Sequence, residues 1–317
     1  MKNKLIVLCS GLVMLAIFAF GCSQKPQQNE DPTGMKFLTE ANKNFEFRKF
    51  KEAIEIYQQS LKLLKYKNNR EAANKYLSQS YIFLARNAFN NGNYPEAAKY
   101  YRLAIEQPEL DMPGTLKATL HSELGLVYTQ QNQYPAAMTE FAAALKIDPN
   151  AKRVHFYVGN IYMTQRKYDL AIAEYKKEIA LDPDFAEAYN NLGSAYVGIN
   201  QLRQAIPHFG KAIDLKPNYF IAYQNLASAY SNAGDYGQAL RVYERLLEKN
   251  PEMKEAYVYM AEIHMLVGDQ RKAYEALKTA LEKGYRNWKY LTEYSRGLRT
   301  AREYGWFKKL VEKYKNS

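Results

Sequence analysis

The sequence predicts an all-α solenoid of about seven helix-turn-helix units. Apolar or small residues recur at intervals of three and four, which is the spacing of a buried helix face. This pattern repeats with a period of 34 residues, and each unit is broken near its middle and usually closed by a proline. The unit at 186–219 shows the pattern in full, with its slots occupied by Tyr189, Leu192, Gly193, Tyr196, Ala205, Phe209, Ala212 and Pro217.

The neighbouring stretches fill the same slots in the same register. Counting each unit from position 1, the slots are 4, 7, 8, 11, 20, 24, 27 and 32, and the predicted units are residues 34–67, 78–111, 118–151, 152–185, 186–219, 220–253 and 254–287. This pattern resembles the tetratricopeptide repeat (TPR), a helix-turn-helix unit of this length. The resemblance implies a right-handed superhelix whose concave groove receives segments of partner proteins.

The first 22 residues have the layout of an export signal. Lys2 and Lys4 precede an apolar run over 5–20, which is followed by Gly21 and Cys22. The run is short for a membrane span. The segment resembles a bacterial lipoprotein signal, which implies that Cys22 is acylated and becomes the first residue of the mature chain. The alternatives are an ordinary cleaved signal and an uncleaved anchor, because the residues before Gly21 depart from the usual lipoprotein pattern.

Residues 23–33 are polar and contain two prolines, so we predict a flexible tether there. The first unit is degenerate, as is expected of a terminal repeat, and residues 70–90 are consistent with one extended helix. After 287, we predict a basic C-terminal cap at 288–317, made of helices over 288–300 and 303–316. The lipoprotein resemblance implies an outer-membrane location facing the periplasm.

The charge distribution argues against a nucleic-acid stripe. The chain carries a formal net charge of +11, but the basic residues in excess lie in the first unit and after residue 282, and the middle of the array is nearly balanced. A contact with an anionic lipid surface or an acidic partner fits this distribution better than a continuous phosphate-tracking surface. We therefore expect no nucleic acid as a partner.

The histidines do not form a catalytic or metal-binding set. His121 and His155 occupy position 4 of successive units, His208 occupies position 23 and His264 position 11, so they are spread along the array and mostly replace a core tyrosine. Serines and carboxylates form no fixed constellation with them. We predict no enzymatic activity, no metal and no cofactor.

The candidate binding residues follow from helical phase. Positions 2, 5, 6, 9 and 12 lie opposite the packed face of the first helix of each unit, and the TPR resemblance places that face in the groove. Amides in a row suit an extended peptide backbone, and aromatic side chains suit its apolar residues, which resembles the asparagine ladder of certain peptide-binding TPR proteins. The predicted groove residues are Phe156, Tyr157, Asn160, Asn190, Asn191, Ser194, Gln224, Asn225, Ser228, Tyr259 and Glu262.

Together these features predict a lipid-anchored scaffold of the bacterial cell envelope that binds protein or extended peptide segments and helps to assemble or stabilise an envelope complex. The alternative is a glycan- or peptidoglycan-binding envelope protein that uses the groove tyrosines as sugar platforms.

Overall fold

The computed structural model describes residues 31–107 and 112–316. The predicted signal over 1–22, including Cys22, and the predicted tether up to residue 30 lie outside these ranges. The described residues form helices and connecting turns, without any strand among them. None of the helices in these ranges is both long enough and apolar enough to cross a bilayer.

Fifteen α-helices account for most of the regular structure of the described ranges, and a π turn at Tyr290–Tyr294 and a 3-10 turn at Ala301–Glu303 lie between the last two. Helices α1 to α7 are Pro32–Glu46, Phe50–Leu63, Lys67–Asn90, Tyr94–Ile105, Gly114–Gln130, Tyr134–Ile147 and Val154–Thr164. Helices α8 to α15 are Tyr168–Leu181, Ala186–Gly198, Leu202–Leu215, Phe220–Asn232, Tyr236–Lys249, Lys254–Leu266, Gln270–Glu282 and Gly305–Lys315. The extended helix predicted over residues 70–90 is confirmed as α3.

The chain divides into two compact units, with the boundary inside α3 at Ser80. In the first unit, the Asp31 carboxylate accepts a hydrogen bond of 2.8 Å from the backbone N–H of Thr33, an N-cap interaction that starts α1. Helix α1 therefore begins at Pro32, inside the stretch predicted as a tether. Its contact with α2 includes a buried hydrogen bond of 2.9 Å from the Ser60 hydroxyl to the Gly34 carbonyl.

The turn inside each predicted repeat has the same backbone conformation. The residue at position 15 adopts a positive φ of 58° to 82° in all seven predicted repeats. The next N–H donates to the carbonyl at position 11, for example Gln201 to Tyr196 at 2.8 Å, which is the Schellman arrangement that ends a helix. The position 15 residues are Arg48, Gly92, Asn132, Arg166, Asn200, Gly234 and Gly268.

The core of the second unit is built from small residues facing aromatic rings. Alanine at position 20 is fully buried in each repeat from Ala137 to Ala273. The glycine at position 8 of three repeats lies against the ring at position 24, so that a Cβ at Gly193 would lie 2.7 Å from Cε1 of Phe209. Because the rings fill the space that a side chain would need, these glycines set how closely the two helices of a repeat pack.

Helix α7 starts in a way that differs from its neighbours. Arg153, which precedes it, has a left-handed φ of 71°, and the fully buried carboxylate of Glu178 accepts hydrogen bonds from the backbone N–H groups of Arg153 at 2.8 Å and Phe156 at 3.4 Å. The Arg153 guanidinium lies 2.8 Å from an Asp182 oxygen and 3.4 Å from the centre of the Phe185 ring. Glu178 thus occupies a core position, position 27 of its repeat, because its carboxylate caps the N-terminus of α7.

The predicted helix over 288–300 is wrong, whereas the helix over 303–316 is confirmed as α15. The chain forms a π turn at Tyr290–Tyr294 and then leaves the helix. The Ser295 hydroxyl accepts from the N–H of Leu298 at 3.0 Å, and the Arg302 guanidinium donates to the Leu291 carbonyl at 2.9 Å. These bonds stabilise the bent path. Counted from residue 288, α15 begins at position 18, close to position 17, where the second helices of the repeats begin.

Candidate functional site

The predicted groove residues lie on the first helices of four successive repeats, α7, α9, α11 and α13. Helix α9 contacts both α7 and α11. The structure therefore brings most of the predicted residues onto one row of neighbouring helices within the second unit. Their accessibility and hydrogen bonds differ strongly along the row.

The asparagines of the row form one connected chain of hydrogen bonds across three repeats. The Asn160 amide oxygen accepts from the Tyr175 hydroxyl at 2.7 Å and from the Asn191 amide at 2.8 Å. The Asn190 amide donates to the Asn191 oxygen at 3.2 Å, and the Asn225 amide donates to the Asn190 oxygen at 2.9 Å. The amides therefore hold α7, α9 and α11 together, in addition to any contact with a ligand.

Asn190 requires a correction. Asn190 is only 4% exposed, because its side chain lies between those of Asn191 and Asn225. It therefore supports the neighbouring amides and is not available to contact a ligand. Asn160, Asn191 and Asn225 are half-buried. The Ser194 hydroxyl, also half-buried, donates to the Asn190 carbonyl at 3.0 Å.

The predicted aromatic residues of α7 are partly committed to packing. The Phe156 ring lies 4.8 Å from the Phe185 ring and 5.9 Å from the Tyr175 ring, centroid to centroid. The Tyr157 ring stacks on Phe141 at 5.8 Å. Both residues keep some exposed surface, so they form an aromatic margin to the amide row.

An open apolar pocket of about 200 Å³ lies at the other end of the row, between α11 and α13. The Gln224 amide donates to the Tyr259 hydroxyl at 3.0 Å along its rim, and the Tyr259 ring stacks on Tyr243 at 5.7 Å. Phe220 and Ile221 are 38% and 56% exposed there. The lining residues are Phe220, Ile221, Gln224, Tyr243, Leu246, Met253, Glu255, Ala256 and Tyr259.

The sequence-based prediction included Gln224 and Tyr259 but missed the importance of Phe220, Ile221 and Met253 around them. The available signal was the pair of large apolar residues at positions 1 and 2 of the repeat that begins at residue 220. Gln224 and Ser228 are exposed, which leaves them open to a ligand beside the pocket.

Glu262 also requires a correction, because the C-terminal segment covers it. Its carboxylate accepts hydrogen bonds from the Tyr290 hydroxyl at 2.8 Å and the Ser295 hydroxyl at 2.6 Å. A Cβ at Gly297 would lie 2.6 Å from the Glu262 Cβ. Burial raises the pKa of Glu262, and the bonds from Ser295 and Tyr290 oppose that rise. The groove therefore ends before Glu262, at Tyr259.

The histidines make separate local contacts. The His121 Nδ1 lies 2.7 Å from a Glu140 oxygen, and the His155 Nδ1 lies 2.6 Å from a Glu174 oxygen. These two pairs recur at the same positions of successive repeats. Among the described residues, no group of three or more His, Cys, Asp or Glu side chains has the arrangement of a metal site.

We expect two other histidines to make the stability of the fold depend on pH. His208 stacks on Tyr196 with a centroid distance of 5.4 Å; burial and the nearby Lys176 charge lower its pKa below the usual 6.5. Burial also lowers the pKa of His264. Because each binds fewer protons in the folded chain than in the unfolded chain, we expect the free energy of unfolding to fall as the pH decreases from about 7 through their folded-state pKa values.

Urea unfolding at pH 7.5 and at pH 5 measures this loss. The variant His208→Phe keeps a ring against Tyr196 and removes the titrating group, so its midpoint should fall less than that of the wild type. An equal fall in both proteins would contradict the role given to His208.

Models of the tetratricopeptide repeat match most of the array. The model described as TPR repeat matches 125–166 and 159–200, and models described as Tetratricopeptide repeat match 78–108, 186–219, 208–241 and 231–292. No curated protein matches the chain by sequence.

Solved structures resemble the chain over much of its length. The C-terminal part of a TPR repeat-containing protein from Cytophaga hutchinsonii is 23% identical, with a TM-score of 0.57 over 78% of this chain and 95% of its own. PilF from Pseudomonas aeruginosa is 20% identical, with a TM-score of 0.57 over 73% and 98%. A tetratricopeptide repeat protein from Parabacteroides merdae is 15% identical, with a TM-score of 0.57 over 75% and 92%.

Proposed function

The chain belongs to the tetratricopeptide repeat family, and from this premise we propose that it is a non-enzymatic scaffold that binds an extended segment of a partner protein along α9, α11 and α13. The observation that carries the proposal is the apolar pocket beside exposed amide and hydroxyl groups on the first helices of neighbouring repeats. An extended peptide needs both features, because its backbone requires donors and acceptors and its side chains require pockets.

The site divides into parts with different roles. Ile221 and Tyr259 offer apolar contact for one large side chain, while Gln224 and Ser228 offer hydrogen bonds to the adjoining backbone. The amide chain through Asn190 links α11, which carries Ile221, Gln224 and Ser228, to α9. We expect the pocket to supply most of the binding energy, as buried apolar anchors do in other interfaces.

Glycan binding through the groove tyrosines receives less support. The Tyr157 ring stacks on Phe141, and the Tyr259 ring stacks on Tyr243. One face of each ring is therefore covered within the protein, which reduces the flat surface available to a sugar.

The variant Ile221→Ser tests the peptide site. Ile221 is 56% exposed, so we expect the free energy of unfolding to change by no more than about 0.5 kcal/mol, while a peptide anchor loses most of its apolar contact. A photo-crosslinking amino acid at position 221 in the native envelope should capture segments of the partner. Peptides with the sequence of the captured segment should then bind Ile221→Ser about tenfold more weakly than they bind the wild type.

Leu170 supplies the matched control. It is 48% exposed on α8, a second helix that does not carry the amide row. The same crosslinker at position 170 should not capture the same segment, and Leu170→Ser should keep wild-type peptide binding. Equal capture at both positions would argue against the site.

We propose that this scaffold is located in the bacterial cell envelope. A lipid on Cys22 would anchor it to the outer membrane, on the side that faces the periplasm. This location is supported by the apolar run that ends at Gly21 and Cys22. Mass spectrometry of the mature N-terminus tests it: a diacylated or triacylated Cys22 supports the proposal, and an unmodified Cys22 refutes it.

A further inference from the structure

A second cleft lies between α14 and α15. It has a volume of about 520 Å³ and is open to solvent. This cleft shares no lining residue with the pocket between α11 and α13, so it is separate from the peptide site. Its main lining residues are Arg271, Tyr274, Trp306, Lys309, Leu310 and Lys313.

The cleft carries three positively charged side chains. Arg271, Lys309 and Lys313 are exposed, and within residues 31–107 and 112–316 none of the three belongs to an ion pair. Other cations of α14 do have acidic neighbours, such as Lys272 with Asp269 at 3.5 Å and Lys278 with Glu282 at 3.9 Å. No acidic side chain is among the described residues that line the cleft. An anionic ligand is therefore favoured here.

The floor of the cleft is apolar and aromatic. Leu310 is buried, and the Tyr274 and Trp306 rings meet edge to face at a centroid distance of 5.6 Å. The Trp306 Nε1 atom is buried and has no hydrogen-bond acceptor among the described residues. An indole N–H normally finds an acceptor when it is buried, so this donor is unsatisfied within the described residues.

We propose that this cleft binds an acidic peptide segment that carries a large apolar residue between Asp or Glu side chains. The carboxylates pair with Arg271, Lys309 and Lys313, and the apolar residue packs on Leu310 and the Trp306 ring. This ligand uses both the charge and the apolar floor, whereas a polyphosphate or a lipid headgroup uses only the charge. The cleft thus provides a second docking site for protein at the C-terminal end of the array.

The chain contains only two tryptophans, which allows a direct readout. In the full-length variant Trp288→Phe, the emission of Trp306 alone reports on the cleft. A synthetic peptide of alternating Glu residues around a central Phe should shift or quench that emission in a saturable manner. A peptide with Gln in place of Glu, and one with Ala in place of Phe, should each bind about tenfold more weakly. Binding of the acidic peptide should also weaken as the salt concentration rises towards about 0.5 M.

Charge reversal locates the binding. The triple variant Arg271→Glu, Lys309→Glu and Lys313→Glu should reduce affinity for the acidic peptide by at least about tenfold. The control triple variant Arg203→Glu, Lys211→Glu and Arg241→Glu makes the same charge change at exposed positions of α10 and α12 and should bind as the wild type does. In calorimetry, Trp306→Phe should bind about fivefold more weakly, because the smaller ring offers less apolar surface to the large residue of the peptide.

Three outcomes would overturn the proposal. They are no binding of the acidic peptide, an equal loss of affinity in both triple variants, and equal binding of the peptides with central Phe and central Ala. Sodium polyphosphate and phosphatidylglycerol vesicles serve as competing probes. If either one binds the cleft more tightly than the acidic peptide, the ligand is a phosphate-bearing one and the peptide proposal fails.

Discussion

Glu178→Ala is expected to lower the free energy of unfolding by about 2 to 3 kcal/mol. The carboxylate is fully buried, and its removal leaves the N–H groups of Arg153 and Phe156 at the start of α7 without their acceptor. The Arg153 guanidinium also lies 3.6 Å from a Glu178 oxygen, and breaking a buried ion pair from one side costs about 3 to 5 kcal/mol. We expect less here, because the Arg153 side chain is about one third exposed and keeps Asp182 at 2.8 Å.

Urea unfolding of the full chain measures this loss. Glu178→Gln serves as the control, since it removes the charge but keeps one acceptor oxygen. Because the N–H groups of Arg153 and Phe156 bond to different oxygens of Glu178, the amide can satisfy only one of them, and Glu178→Gln should cost less than Glu178→Ala. Alanine is already present in this slot at Ala144, Ala212 and Ala280, where it is fully buried. If Glu178→Ala were as stable as the wild type, Glu178 would be a replaceable core residue and its capping role would be refuted.

Gly193→Leu is expected to cost about 2 to 3 kcal/mol through overpacking. A Cβ at this position would lie only 2.7 Å from the Phe209 ring, and further carbon atoms would force α9 and α10 apart. Phe209 is only 1% exposed, so the ring has little room to move away. Insertion of extra carbon atoms into such cores costs about 1 to 3 kcal/mol, and a Leu side chain adds four.

Gly210 offers a control in the same pair of helices. A Cβ at Gly210 meets nothing within 4 Å, and the residue lies inside α10. Gly210→Ala should therefore stabilise the protein by about 0.5 to 1 kcal/mol, the usual gain in helix propensity, and Gly210→Leu should show no overpacking penalty. Similar losses for Gly193→Leu and Gly210→Leu, measured by thermal or urea unfolding, would contradict the assignment of position 8 to the packed interface.

Much of the repeat architecture was predictable from the sequence, because helix spacing and the 34-residue period are both local signals. The period is confirmed from Asn132 to Gly268 by identical left-handed turns. Arg48 and Arg166 adopt this conformation without being glycine, so register and not residue type indicated those turns. The sequence also placed Gly193 correctly in the core: in the two preceding repeats, Gly125 and Gly159 likewise lie against the rings of Phe141 and Tyr175.

The details of the binding row were harder to predict, because they depend on contacts between repeats. Helical phase placed Asn190 and Asn191 on one exposed arc, yet the Asn225 side chain donates to Asn190 and helps to bury it. Glu262 lies on the same arc, but it is covered by a segment whose helix ends at Tyr294. A period of 34 residues does not predict which group an amide side chain will bond to. It also does not predict where a terminal helix will end.

The amide chain that runs from Asn160 through Asn191 and Asn190 to Asn225 has a consequence for recognition. Side chains that already hold one another lose little further freedom when a guest arrives, so the entropic penalty of association is small at this part of the array. Spacing between adjacent first helices is likewise set in advance. An extended peptide therefore meets a surface whose dimensions are already set. This favours peptides of matching length and side-chain size, and it does not require the protein to change shape on binding.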